Sequence, residues 1–449
     1  MKLIMSSYKF KIKDYHAIKS ADVDLDGITV LAGVNGSGKS TVSKWLYYVV
    51  DGALNFDKYA FGVYYTSVET YLERLFRAYR EIKGLPSVGR KETINTGYTA
   101  FLDFLDFPID DSGYVDKFHN IIDVMSNDLQ KYIDNHKSPD HNNFRISRIK
   151  RYLDIPEDIM DGVDVGKYFI TAANAYLDDQ IKQYHTMLDN RDKEDFYGFI
   201  HDKFNETDSV PSKMWFYEDG VNMLAGKSLG RILNIERVIY IDSPVVFRGS
   251  SSVSPFWRKL NDLLKTKSSS SSSTRQLLLR IRRVLKGRFK LVENKITDEN
   301  ELHYQRADGL DIAIDKTATG FRSFAYLQML LENGYLDENT ILLIDEPEAH
   351  LHPQWIVEYA NIVVHLYKEL GVKIMLASHN PDMVSAIYNI SRKEGVADDV
   401  NYYLSEPDKQ EFMFNFVNQN GEISNIFKSF NIALDRINLY GGINETNNL

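Results

Sequence analysis

The residues with the most legible chemistry fall in two runs some three hundred positions apart. The first, Gly33-Val34-Asn35-Gly36-Ser37-Gly38-Lys39-Ser40, fits G-x-x-x-x-G-K-[ST]. A loop of that make-up turns its backbone N–H groups inward to ring a phosphate, sends its lysine to the outer phosphates and offers its last hydroxyl to a bound Mg²⁺. Asn35, Gly36, Ser37, Gly38, Lys39, Ser40 and Thr41 are therefore the expected phosphate contacts. The second run, Ile341-Leu342-Leu343-Ile344-Asp345-Glu346-Pro347-Glu348-Ala349-His350-Leu351-His352-Pro353, begins with four apolar residues and ends in carboxylates. Asp345 would share the Mg²⁺ with Ser40, and Glu346 stands where a carboxylate can orient or deprotonate an attacking water. In Thr317-Ala318-Thr319-Gly320-Phe321-Arg322-Ser323, Thr319 and Gly320 put a small hydroxyl residue and a glycine at a helix start, a further anion site. His379, in Ser378-His379-Asn380-Pro381, follows an apolar run and is placed to reach a terminal phosphate.

These side chains need a particular frame. Gly27 to Ala32 reads as a short buried strand and Thr41 to Val50 as a helix, so that the helix N-terminus faces the anion. Ile341–Ile344 and Lys373–Ser378 read as buried parallel strands that deliver Asp345 and His379 at their C-terminal ends, where open α/β sheets bind ligands. Phe324, Leu327 and Leu331 mark a helix behind Thr319 that stops at Asn333-Gly334, and Trp355 to Leu370 a second, amphipathic one. Upstream, Tyr8, Phe10 and Ile12, then Ala21, Val23 and Leu25, alternate as strands. Tyr15 and His16 in the turn between them have two readings, stacking on a base or plain packing.

From about Asp51 the pattern turns helical. Thr66-Ser67-Val68-Glu69 has the form of a capping box, opening a helix that carries Leu72, Leu75, Phe76, Tyr79 and Ile82 and stops at Gly84 and Pro86. Helices recur at Val115 to His136 and Gly166 to Leu188, without a long heptad run. Arg237–Ile241 reads as the sheet resuming, Ser268 to Ser273 as a flexible linker. Arg275 to Lys290 is the most basic stretch, either a solvated helix face or a contact for a phosphate backbone. The expected division is residues 1–50, a mainly α-helical insertion over 51–230, and residues 231–449.

Composition sets outer limits. With 449 residues the chain can bury a large core in two or three units. The absence of cysteine excludes a disulfide framework and thiolate metal sites and fits a reducing cytoplasm, the expected location. A net charge of −10 argues against a generic nucleic-acid coat, and no apolar run is long enough to span a bilayer.

The loop at Gly33–Ser40, the Thr317–Ser323 segment, Asp345 to Trp355 and Ser378–Pro381, in this order, resemble the ABC-class ATPase heads of the SMC and Rad50 superfamily. More narrowly they resemble bacterial stand-alone AAA-family ATPases related to OLD proteins and to the ATPase subunits of the Septu and PARIS anti-phage systems. The resemblance covers about residues 1–50 and 230–430. It implies an α/β P-loop NTPase fold of the ABC-head type with a mixed sheet, and ATP with Mg²⁺ as cofactors. It also implies a homodimer or higher homo-oligomer in which ATP is held between the loop of one subunit and the Thr319-Gly320 signature of the other. On that pattern Asp345 is the Walker B metal ligand, Glu346 the catalytic carboxylate, His379 the switch histidine, and His350 and His352 belong to the D-loop rather than to a metal pair. Two departures stand out. Thr-Gly-Phe-Arg replaces the transporter Ser-Gly-Gly-Gln, so Arg322 either adds charge to the trans phosphate or pairs with a carboxylate. No glutamine occurs between the phosphate loop and Gln130, where a Q-loop would be sought, and the Q-loop is expected near Asp242-Ser243-Pro244 instead. About 70 residues without D-x-D follow His379, so no Toprim nuclease is expected.

The expected function is thus a Mg²⁺-dependent ATPase that acts as a clamp or sensor and controls a separate effector, a nuclease or toxin, in anti-phage defence. The rivals are a DNA-repair ATPase that uses Arg275–Lys290 on DNA, and a scaffold that holds ATP with little turnover.

Overall fold

The computed structural model describes residues 6–83, 114–135, 148–152, 162–204, 209–242, 255–267, 275–294, 299–409, 412–430 and 440. The serine run 268–273, Ser243-Pro244 and the stop at Gly84 and Pro86 lie outside them. The strands are β1 (Tyr8–Tyr15), β2 (Ile18–Asp24), β3 (Ile28–Ala32), β4 (Met214–Glu218), β5 (Val221–Asn222), β6 (Arg237–Ile241), β7 (Gly287–Asn294), β8 (Glu299–Arg306), β9 (Asp311–Ala313), β10 (Thr340–Asp345), β11 (Lys373–Ser378), β12 (Val400–Pro407) and β13 (Phe414–Asn418). The helices are α1 (Lys39–Lys83), α2 (Tyr114–Asn135), α3 (Gly162–Asn190), α4 (Lys193–Phe204), α5 (Pro255–Lys265), α6 (Arg275–Leu285), α7 (Thr319–Glu332), α8 (Pro353–Leu370) and α9 (Pro381–Glu394).

Ten strands form one mixed sheet in the order β5-β4-β1-β2-β13-β12-β3-β11-β10-β6. β12, β3, β11, β10 and β6 run parallel, β5, β4, β1 and β2 form an antiparallel wing, and β13 joins the two, antiparallel to β12 and parallel to β2. The parallel strands are apolar on both faces because both are covered. One face, with Ile28, Val30, Ile344 and Leu376, packs with residues of α5 to α9. On the other, Tyr47 of α1 meets Tyr240 of β6 at 5.9 Å between ring centres. A small sheet, β7-β8-β9, is tied to α7 by the buried Gln328, whose amide pairs with both the N–H and the carbonyl of Phe289.

The chain divides into two compact units, Met1–Asn55 with Asp192–Leu449, and Phe56–Arg191. The second unit has an aromatic core in which Tyr71 stacks on Tyr176 at 3.8 Å and Tyr64 on Tyr184 at 5.3 Å. Helices α2 and α3 match the sequence expectation closely. Two expectations are corrected. The helix after the loop does not end at Val50 and the Thr66 capping box opens nothing, because α1 is continuous over 45 residues. Just past Val50, Asp51 is buried and paired with Lys259, and a Cβ on Gly52 would lie 2.4 Å from a ring carbon of Phe196. The glycine is there for close packing. The helical region also ends earlier than 230: α4, β4 and β5 belong to the first unit, and β4 pairs antiparallel with β1.

Candidate functional site

The order β3-β11-β10-β6 brings the C-terminal ends of four parallel strands together, and the chain leaves each through a residue singled out above. β3 runs into Gly33–Gly38 and then α1. Gly38 has φ +93°, and a Cβ there would lie 2.7 Å from Cγ1 of Ile18, so the loop is pressed against the turn that carries Tyr15 and His16. In that turn Tyr15 is buried, stacks on His16 at 4.2 Å and meets Trp45 edge-on, while His16 is exposed. Lys39 is buried, and its ammonium donates to the carbonyls of Gly33 and Val34 at 2.9 Å each. Burial lowers its pKa, and the carboxylates of Asp345, Glu346 and Glu348 pull it back. Ser37 Oγ is buried without a hydrogen-bond partner.

Asp345 ends β10 and is 4% exposed. Burial pushes its carboxyl up to about 6, with Asp242 and Glu346 adding to the rise while hydrogen bonds from Ser40 and Tyr240 oppose it. The Tyr240 hydroxyl donates to Oδ2 at 3.2 Å, whereas Oδ1 is buried without a partner. A buried oxygen left open beside a serine hydroxyl is the donor set that a hard cation such as Mg²⁺ completes. Among the described residues no group of three or more His, Cys, Asp or Glu side chains is placed to hold a metal ion. His352 instead caps α8, its ring accepting from Gln354 N–H.

Glu346 adopts φ +46° and its N–H donates to the Ala377 carbonyl at 2.9 Å. A non-glycine residue held left-handed at the end of a strand is locally strained, a state found where geometry serves function. It brings the Glu346 carboxylate within 3.5 Å of His379 Nδ1. His379 lies in the tight turn from β11 to α9, which Asn380 caps and Pro381 opens.

Lys39, Ser40, Asp345, Glu346 and His379 therefore share one edge of the sheet. Thr319, Gly320 and Arg322 start α7 and pack elsewhere: a Cβ on Gly320 would lie 2.8 Å from the His350 carbonyl, and Arg322 donates to the Asp315 carbonyl at 2.9 Å. Among the described residues Arg322 has no carboxylate partner. The basic stretch becomes α6 and the start of β7. Arg280 and Arg282 pair with Glu369 and Glu332, while Arg275, Arg283, Lys286 and Arg288 are exposed. Lys286 and Arg288 line a groove of about 580 Å³ with Arg282 and Arg306. Two contributors escaped sequence reasoning. Tyr240 faces Asp345 from the adjacent strand, a relation that depends on the β6–β10 register, Leu343 opposite Tyr240. Glu348, three residues after Asp345, offered only its spacing.

The sheet, the phosphate loop and the carboxylate at the end of β10 define a P-loop NTPase fold interrupted by a helical unit. The chain belongs to the AAA_15 family, the AAA ATPase domain, whose model matches residues 5–384. It is thus a nucleotide-binding ATPase of that family. Over 47 residues it is 40% identical to the energy-coupling factor transporter ATP-binding protein EcfA2 of Clostridium perfringens, covering 10% of this chain and 16% of that protein. Among solved structures it is similar to the Smc head domain of Pyrococcus furiosus bound to the C-terminal domain of ScpA. That match has 11% identity, covers 96% of this chain and 100% of the other, and has a TM-score of 0.33. The SMC head domain of Thermotoga maritima matches at 9% identity over 92% and 99%, with a TM-score of 0.33. No helix among the described residues is long and apolar enough to cross a membrane.

Proposed function

We propose that the chain is a Mg²⁺-dependent ATP-hydrolysing clamp or sensor that closes as a homodimer on ATP and controls a separate effector protein in anti-phage defence. The observation that carries the ATPase part is the shared strand-end edge, where Lys39, the open Oδ1 of Asp345 and the Glu346–His379 pair converge. Asn35 to Thr41 would wrap the phosphates and Lys39 would bind the outer ones, leaving its contacts with Gly33 and Val34. Ser40 and Asp345 would hold Mg²⁺, which when bound neutralises phosphate charge and fixes its geometry. Glu346 would orient and deprotonate the attacking water, with His379 beside it facing the terminal phosphate. Thr319, Gly320 and Arg322 would serve the nucleotide of a second copy, a reading supported by the close packing of Gly320 against the His350 carbonyl. The effector, a nuclease or toxin, and the defence setting rest on the resemblance to the OLD, Septu and PARIS ATPases.

The test is mass in solution for wild type and Glu346→Gln, each with and without Mg-ATP, alongside phosphate release. Assembly of Glu346→Gln on ATP with loss of turnover is the expected result. ATP changing neither mass nor turnover in either protein would leave a nucleotide-holding scaffold. A second reading, action on DNA, is favoured by the exposed Arg275, Arg283, Lys286 and Arg288 on an otherwise acidic chain. It requires DNA affinity that falls steeply with added salt and with reversal of those charges.

A further inference from the structure

Glu348 has no part in the roles above, yet its side chain is only 3% exposed, against 34% for Glu346. Its Oε1 accepts from the Ser378 hydroxyl at 2.8 Å and from the His379 backbone N–H at 3.0 Å, and lies 3.4 Å from His379 Nδ1. Atoms of two consecutive residues at the exit of β11 thus converge on one carboxylate oxygen from the turn after β10. The other oxygen, Oε2, is buried without a partner, so the site carries an uncompensated desolvation cost that stability alone would remove. Nδ1 of His379 is buried as well and is hydrogen-bonded to neither neighbour, standing 3.4 Å from Glu348 and 3.5 Å from Glu346. One edge of the imidazole therefore faces an enclosed carboxylate, Glu348, and a partly exposed one, Glu346.

We propose that Glu348 is the positioning residue for His379: it anchors the backbone and Ser378 side chain that carry the imidazole and holds the Nδ1 edge, leaving the opposite nitrogen for the phosphate. This rests on the ATPase reading of the same site. Carboxylates that fix one nitrogen of a functional histidine set its tautomer and ring orientation, and their removal typically costs about 10–100-fold.

The test uses the full chain with Glu348→Gln, Glu348→Asp, His379→Ala and the double variant Glu348→Gln/His379→Ala. Glu348→Gln is expected to lower kcat about 10–100-fold, with KM for ATP and the Kd of a fluorescent ATP analogue within about twofold. Glu348→Asp, which keeps the charge, recovers part of the loss and carries the test if the glutamine variant does not fold. In the His379→Ala background, Glu348→Gln produces no further fall, because the pair acts as one unit. In nucleotide-free protein the histidine Cε1–Hε1 resonance that vanishes in His379→Ala shifts in Glu348→Gln. An unmoved resonance, or losses that multiply in the double variant, overturns the positioning role and leaves the ATPase reading standing. A wild-type chain that neither binds nor turns over ATP removes both.

Discussion

Tyr240→Phe removes one oxygen and nothing else from the site, and the structure sets both the size and the pH dependence of its cost. The lost bond, 3.2 Å from the Tyr240 hydroxyl to Asp345 Oδ2, is buried. Tyr240 remains a donor across the working range, since burial and then the charge of Asp345 push its phenol well above the ordinary value. With Asp345 held up at about 6, its carboxyl is ionised at pH 8 and protonated at pH 4.5. A hydrogen bond to a charged group is worth about 1.5–3 kcal/mol and one between neutral groups about 0.5–1.5 kcal/mol. The folded pKa of Asp345 is raised above its unfolded value, so its stabilising contribution is present below about pH 4 and is lost as pH rises through about 6. Removing a bond that favours the ionised form raises the folded pKa further. Tyr240→Phe should therefore cost about 2 kcal/mol at pH 8 and about 1 kcal/mol at pH 4.5. Urea denaturation followed by tryptophan fluorescence measures this without interference, because Trp45, Trp215, Trp257 and Trp355, the chain's 4 tryptophans, all lie in the first unit. An equal cost at both pH values would refute the reasoning, as would a cost at pH 8 under about 0.5 kcal/mol.

Two other outcomes follow from buried charge. Lys39→Met exchanges an enclosed ammonium, whose burial outweighs the pull of the nearby carboxylates and which is hydrogen-bonded to two carbonyls, for an apolar chain of similar length, so the nucleotide-free protein should melt no lower than wild type. The same variant should lose the stabilisation by Mg-ATP, about 2.7 kcal/mol in wild type at a hundred times Kd; thermal shift with and without nucleotide reads both. His365 is buried between Arg280 of α6, Glu394 of α9 and, on its own helix, Glu369 and Lys368, and burial followed by Arg280 depresses its pKa. A depressed histidine favours the neutral folded form, so stability falls as pH drops below about 6.5 toward the folded value. His365→Gln should flatten that fall in urea midpoints measured between pH 5 and 7.5, and an unchanged slope would count against it.

Much of the site was readable because its elements are local and strongly patterned. The apolar runs of β3, β6, β10 and β11 announce buried parallel strands, and the phosphate loop, Asp345 and His379 stand at or just past the ends of β3, β10 and β11. What escaped depended on partners distant in sequence. The helix expected to end at Val50 runs on because Phe196 occupies the space that the missing side chain of Gly52 leaves. Thr66 to Glu69 has the letters of a cap, but tertiary packing carries α1 through it, with Val68 and Leu72 in the aromatic core. β4 is only five residues long, and its role as partner of β1 is visible only once the two are in register. Tyr240 and Glu348 gain meaning only from the strands beside them.

The strand order also decides when this molecule can fold during synthesis. β3, which leads into the phosphate loop, pairs with β11 and β12, and β2 pairs with β13. The partner residue of Ala32 on β12 is Leu404, so about 370 residues must be made before the loop's strand is enclosed on both sides. At about 5–20 residues per second the interval is roughly 20 to 75 seconds. Phe56–Arg191, by contrast, is a contiguous unit that can assemble as it emerges. The N-terminal strands meanwhile carry unpaired apolar edges, the condition under which nascent chains depend on chaperones, and any release before β12 leaves the strand under the phosphate loop open on one side.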